Sequence, residues 1–240
     1  MPGPHKNNQT SIKNSGKADI YHNKNKGRSY VSKVYAKILQ TRDYPIRQAL
    51  SGCQSVLDIG CGTGELMAQV NKGGFYAVGV DLFKPYLKMA KEKHAHNEFV
   101  KGDIETLEFK PKSFDAVMAI DIIEHLEKEK GTILINKMKS WARKKVLLIT
   151  PNGYVSQHEY DANPYQIHKS GWTVNEMKEF GFKTYGIGGL SCLKGEKAEV
   201  RFKPKIFWEV FSEVSQKITF KFPSSAFELL CVKTLTCEDL

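Results

Sequence analysis

Val56-Leu57-Asp58-Ile59-Gly60-Cys61-Gly62-Thr63-Gly64 decides the fold of this chain. The run Ser55–Gly60 reads as a buried strand that ends in glycines. These glycines permit backbone turns closed to other residues and let a ligand approach the main chain. GELMAQVNK, beginning at Gly64, reads as a helix ended by Gly73-Gly74. The glycine spacing is G-x-G-x-G, which is neither the G-x-G-x-x-G of dinucleotide sites nor a G-K-[ST] triphosphate cradle. Asp58 stands before the first glycine, where a carboxylate repels pyrophosphate but accepts hydrogen bonds from an ammonium group. The loop therefore suits a positively charged nucleoside.

Outward from this loop the pattern repeats. FYAVGVDL (75–82), EFVKGDI (98–104), SFDAVMAID (113–121) and KVLLITP (145–151) read as further strands. The apolar run of the fourth suits a strand covered on both faces. Pro85 sits near the start of a helix over 86–95, a tolerated place for proline. The stretch from Ile122 to Ala142 reads as helix, interrupted near Gly131. Residues 152–171 form a long polar-aromatic loop, and Thr173 with Glu176 forms the capping-box pattern of a short helix. FKTYGIG and AFELLCVKTL read as the last two strands, separated by an insert at about 190–223. Strand–helix alternation predicts a doubly wound α/β fold. A mostly parallel seven-stranded sheet, its last strand antiparallel, carries helices on both faces, and ligands bind at the C-terminal strand ends.

Composition bounds the reading. The chain has 240 residues, 41% of them hydrophobic, enough for one large domain with a real core. No run approaches the roughly 18 apolar residues of a membrane helix, and the first 20 residues lack the apolar segment of a secretory signal. Five cysteines without a C-x-x-C pair argue against a disulfide framework and for a cytoplasmic location. The net charge of +10 is concentrated: residues 1–48 carry ten Lys/Arg against Asp19 and Asp43, while the remainder carries 26 basic and 24 acidic residues. We therefore read 1–28 as a disordered basic tail and 29–240 as the folded domain, with a helix pattern over 29–50 that Pro45 breaks or restarts.

The motif D-I-G-C-G-T-G with Glu65, together with the ordered acids downstream, resembles class I S-adenosylmethionine-dependent methyltransferases over about residues 50–185. The resemblance implies S-adenosylmethionine as cofactor, with Asp58, Gly60, Cys61, Gly62 and Gly64 around its amino-acid part. It places Asp81, followed by Leu82, on the ribose diol, Asp103 near the adenine amine, Ile104 against the ring, and Asp121 at the fourth strand's end. Each of Asp81 and Asp103 alone could equally cap a turn. Phe114 and Asp115 read as structural.

Asp121-Ile122-Ile123-Glu124-His125 follows the fourth strand and points to the cleft. His125 is the best general-base candidate, because histidine titrates near neutrality; Glu124 and His125 alternatively just begin a helix. His168 lies in a second cluster with His158, Glu159, Tyr160, Asp161, Tyr165, Gln166 and Trp172. Asp121, Glu124 and His125 fall within one helical turn and can converge. This spacing is similar to the metal-holding pattern of small-RNA ribose methyltransferases, which implies a divalent metal with His168 as a further ligand. The insert's Ile206, Phe207, Val210, Phe211, Val214 and Ile218 have helical spacing and read first as core, second as a lipid-surface or substrate-covering face. A small-molecule acceptor is the leading reading. Nucleic-acid methylation guided by the tail and an inactive cofactor-binding scaffold stand beside it.

Overall fold

In the computed structural model, residues 42–159, 163–195 and 198–236 are described. The predicted tail, the first part of the 29–50 helix, Tyr160, Asp161 and Cys237 lie outside them. The strands are β1 (Ser55–Ile59), β2 (Tyr76–Asp81), β3 (Glu98–Lys101), β4 (Phe114–Ile120), β5 (Ala142–Pro151), β6 (Lys183–Leu190) and β7 (Ala226–Thr234). They form one sheet in the order β3-β2-β1-β4-β5-β7-β6, parallel except for β7, which runs antiparallel to both neighbours.

The period-2 geometry of strands divides the core between two faces. Leu57, Ile59, Val117 and Ala119 pack on one side. Helices α4 (Lys128–Trp141) and α5 (Val174–Glu179) cover it with Leu134, Met138, Trp141 and Met177. Val56, Ala116, Met118 and Ile149 pack on the other, under α1 (Asp43–Ala49) and α2 (Glu65–Val70), which contribute Ile46, Met67 and Val70. Pro45 occupies the first turn of α1, where its missing N–H leaves no bond unmade. Pro85 does the same in α3 (Lys84–Glu92). β3 stops at Lys101 rather than 104, because it pairs only with β2 and its register ends at Asp81–Lys101.

Two expectations are corrected. The helix after β4 is broken at Leu126–Glu127, not at Gly131: Ile123–His125 make a 3-10 turn, the chain goes extended, and α4 starts at Lys128. Gly131 lies inside α4, and a Cβ there would stand 2.5 Å from Trp172 Cζ2. The glycine is a packing socket for the indole rather than a breaker. The second correction concerns α6 (Lys205–Thr219), whose apolar stripe is not core. Ile206, Phe207, Val210, Phe211, Val214 and Ile218 are all exposed, while Ser212, Ser215, Gln216 and Thr219 are buried. β6 supplies the reason. Its ladder is irregular between Ile187 and Leu190, where Gly188 and Gly189 take positive φ. The freed amides find polar partners on the helix, Gly188 N–H donating to Gln216 Oε1 (2.9 Å) and Leu190 N–H to Ser215 Oγ (3.1 Å). Gly186 and Gly189 let the helix backbone close in, since a Cβ on either would fall within 2.3 Å of a helix carbonyl. Left unpaired in this seam, each of those amides would cost about 1–3 kcal/mol.

The structural reading of Asp115 is borne out by its bonds. Its carboxylate accepts from Gln54 N–H (2.8 Å), Arg143 Nε (3.0 Å) and Lys144 Nζ (2.9 Å), and the residue is buried. Burial pushes this carboxyl up, but the Gln54 amide, Lys144 and Arg143 outweigh it and hold it below the usual aspartate range. Both cationic partners are half exposed, so their ion pairs contribute little and the stranded amide dominates. Asp115→Ala should cost about 1–3 kcal/mol in urea unfolding at neutral pH. A folded-state pKa below the unfolded one gives stability that is present above the unfolded pKa and lost as pH falls through the folded one. The wild-type advantage should therefore vanish in acid, and an advantage independent of pH would contradict this account.

Candidate active site

The parallel strands β1–β4 end on one edge of the sheet, and β1 and β4, from which the chain winds in opposite directions, are neighbours there. A pocket of about 380 Å³ opens on that edge, the place where such sheets bind ligands. Each strand end supplies part of its wall. After β1 come Gly60 and Gly62, at β2 Asp81 and Leu82, after β3 Asp103 and Ile104, and after β4 Asp121, Ile122, His125 and Leu126. The long loop adds Asn163, Tyr165, Gln166 and Lys169.

The glycine loop is tied to the second strand through Asp81. Its carboxylate accepts from Gly62 N–H (2.8 Å) and Phe83 N–H (2.8 Å). Burial raises its pKa against those two amides, and it keeps lone pairs for a ligand's hydroxyls, since a carboxylate offers about four acceptor positions. Gly60, Gly62 and Gly64 all have positive φ, but their surroundings differ. A Cβ at Gly60 would meet Ile122 Cδ1 at 1.9 Å and one at Gly64 would meet Ala95 and Ala90, whereas at Gly62 nothing lies within 4 Å. Gly64 thus serves helix packing, and Gly62 presents bare backbone to the pocket.

Other sequence-predicted residues stand elsewhere. Asp58 is not in the lining; it is buried, and its carboxylate bonds to His96 Nε2 at 2.8 Å. Burial raises its pKa, opposed by His96. This carboxylate therefore braces β1 against the segment before β3 instead of meeting an ammonium group directly. Cys61 lies behind the loop, where burial pushes its thiol up. Asp103 lines the pocket while one of its oxygens accepts from Glu105 N–H at 2.9 Å, so it also caps a turn. The sequence reading missed Phe83 and Tyr86, an edge-to-face pair in the lining. Their position directly after a strand-end acid was the available signal.

Glu124, His125 and His168 come together because the long loop is strapped to the turn after β4. Lys169 N–H and Ser170 N–H both donate to Glu124 O (2.8 and 3.0 Å), and Trp172 Nε1 donates to Ile123 O (3.3 Å). One ligand atom from each of Glu124, His125 and His168 lies within 4.8 Å of the others. His125 Nδ1 contacts Ile167 O (3.2 Å) and His168 Nδ1 contacts Val155 O (2.6 Å). A carbonyl only accepts, so each Nδ1 carries the proton and each neutral ring keeps a free lone pair on Nε2. Burial holds both imidazoles below the usual histidine value. Glu124 is buried, with no well-formed hydrogen bond to either carboxylate oxygen among the described residues but the Thr150 hydroxyl close by, and burial together with repulsion from Asp121 raises its pKa well above the usual carboxylate range against the opposing pull of Thr150 and Arg42. Asp121 has φ +55° and is paired with Arg42, which also lies 3.6 Å from Glu228. Asp121 is thus held by Arg42 and is not one of the three side chains whose ligand atoms converge, although it stays close enough to repel the Glu124 carboxylate.

Residues 56–145 match the family model for a methyltransferase domain. The chain is 32% identical over 125 residues to a malonyl-[acyl-carrier protein] O-methyltransferase of Halalkalibacterium halodurans, covering 49% of this chain and 45% of that one. It is 31% identical over 121 residues to an 18S rRNA (guanine-N(7))-methyltransferase of Bos taurus, covering 46% and 42%. The chain thus spans less than half the length of these curated relatives. Among solved structures, a SAM-dependent methyltransferase from Archaeoglobus fulgidus superposes with a TM-score of 0.50 at 20% identity, over 85% of this chain and 99% of that one; this likeness is one of fold.

The contrast between two loop glycines is testable. Gly62→Ala should carry only the penalty of left-handed backbone, roughly 1–2 kcal/mol. Gly60→Ala should lose more, because it also displaces Ile122. Adding Ile122→Ala should recover the excess but not the backbone part. Thermal melts of the three variants decide this, and equal losses at both glycines would refute it.

Proposed function

Since the chain belongs to the class I S-adenosylmethionine-dependent methyltransferases, we propose that it transfers the methyl group of S-adenosylmethionine to a small-molecule acceptor in the pocket at the ends of β1–β4. The carrying observation is the pocket wall itself, in which bare backbone at Gly62, the amide-held carboxylate of Asp81, and Asp103 with Ile104 line one continuous surface. These residues fit the cofactor. Gly60 and Gly62 border its amino-acid part, Asp81 accepts from the ribose hydroxyls, and Asp103 and Ile104 hold the adenine. Bound there, the cofactor supplies an electrophilic methyl on a sulfonium with a neutral leaving group. The protein's contribution is orientation, exclusion of water and, where the acceptor must lose a proton, a base. His125 suits the last role, being in the lining, neutral, and bearing its lone pair on Nε2.

The wall also favours one acceptor class. Asp81 and Asp103 belong to the cofactor's side, Asp121 is paired with Arg42 and Glu105 with Lys130, so what is left beside His125 is mainly Ile122, Leu126 and Tyr165. A concave, partly apolar lining of this kind suits a small molecule, which supports a small acceptor over RNA. Asp81→Ala should weaken cofactor binding by more than the ~1 kcal/mol of an ordinary hydrogen bond, read by calorimetry with S-adenosylhomocysteine. His125→Ala should abolish most turnover on a metabolite panel while binding persists, and wild-type turnover should fall as pH drops through the lowered His125 pKa. No binding by folded protein would sink the proposal. Turnover on RNA alone would replace the acceptor class, and binding without any turnover would leave a scaffold.

A second reading, a divalent cation beside the acceptor, is favoured by the convergence of Glu124, His125 and His168. The buried carboxylate and two imidazoles with carbonyl-oriented Nδ1–H suit such an ion. Elemental analysis of protein purified without chelator should then find metal, reduced in His168→Ala. Full turnover of metal-free protein in excess EDTA would end this reading and leave His125 as a base.

A further inference from the structure

The folding of α6 with its polar side inward leaves an apolar surface with no described cover. Ile206, Val210, Val214 and Ile218 form its spine, and Phe202 and Phe222 extend it past both ends of the helix, each exposed by 45% or more. Contiguous exposure on this scale marks an interaction surface. Its edges are predominantly basic. The segment 201–222 contains Arg201, Lys203, Lys205, Lys217 and Lys221 against Glu209 and Glu213. Both glutamates line a separate hollow with Lys194 and Lys205, and Lys205 also pairs with Glu199. None of Arg201, Lys203, Lys217 and Lys221 has a carboxylate partner among the described residues. The result is an apolar, aromatic stripe bordered by free cations.

We propose that α6 and its flanks dock the protein on an anionic lipid surface, the helix lying in the headgroup region with its apolar stripe inserted. At 15 residues the helix is shorter than the ~20 needed to span, and no described helix is long and apolar enough to cross a membrane. An interfacial helix needs instead an apolar face, aromatics and basic residues at the headgroup level, and α6 has all three. Its docking bonds to β6 involve only the opposite, polar face, so insertion leaves the fold intact. This inference does not depend on the identity of the acceptor.

Trp208 gives a native probe, because the other two tryptophans, Trp141 and Trp172, are buried, whereas Trp208 is half-buried among the exposed rings of Phe202, Phe207 and Phe211. The full chain is mixed with phosphatidylcholine vesicles, with or without roughly one third phosphatidylglycerol. We expect sedimentation with the anionic vesicles, a blue shift of Trp208 emission and loss of iodide quenching. Val210→Asp with Ile218→Asp should reduce binding about ten-fold or more without changing the melting temperature. Lys203→Glu, Lys217→Glu and Lys221→Glu together should remove the preference for anionic vesicles, and high salt should do the same. Absence of vesicle binding by monomeric protein would overturn the proposal. So would a concentration-dependent dimer that the aspartate variants dissociate, which would make a second copy the partner. A Trp208→Phe variant that removes no iodide-quenchable emission in the absence of vesicles would also overturn it, since the chain would then cover its own stripe.

Discussion

Past Ile120 the fourth strand loses its ladder, and the polar backbone of residues 121–125 must find partners at a buried place. Unpaired main-chain groups there are too costly to leave. Asp121 N–H is still served by Ile149 O, and Ile123 O takes Leu126 N–H from its own turn, but the loop after β5 supplies the rest: Lys169 N–H and Ser170 N–H to Glu124 O, and the Ser170 hydroxyl and Trp172 indole to Ile123 O. Much of the site follows from that requirement. The strap places His168 beside His125, with rings 4.9 Å apart, drives Trp172 into the gap left by Gly131, and brings Tyr165 and Lys169 over the pocket. A loop that looks like a catalytic accessory in the sequence is first of all the hydrogen-bonding complement of a strand end.

The sheet was legible because its signals are local and repeat. Val56–Ile59, Ala77–Val80 and Ala116–Ala119 alternate between the two core clusters as period-2 strands must, and Thr173 with Glu176 forms the capping box read from four letters. The glycine loop was legible because few backbones need three left-handed residues in five. Other features depend on partners far along the chain. Nothing near Arg42 announces Asp121, 79 residues away, and nothing near Asp58 announces His96. Each of those pairings redirected a carboxylate whose chain position suggested ligand contact.

Helix α6 shows a different limit. Periodicity identified which residues share a face but not which face meets the body. That choice was made by the irregular stretch of β6, whose amides required acceptors and whose glycines admitted a helix backbone. Hydrophobic burial is non-directional and proportional to area, so a few directional bonds at a seam can set the rotation of a helix against it when the apolar side has another use.

The placement of β7 has a consequence for synthesis. It lies between β5 and β6, yet it follows both in chain order. While the chain emerges, β6 has no neighbour in the sheet, and β5 keeps an open edge until Ala226–Thr234 has been made. Domains fold as units during translation, and unpaired edges are aggregation-prone. The nascent protein therefore assembles its pocket strands β1–β4 before its sheet can close. A chain interrupted before Ala226 would keep the ligand-binding strands while lacking the one that joins β6 to them.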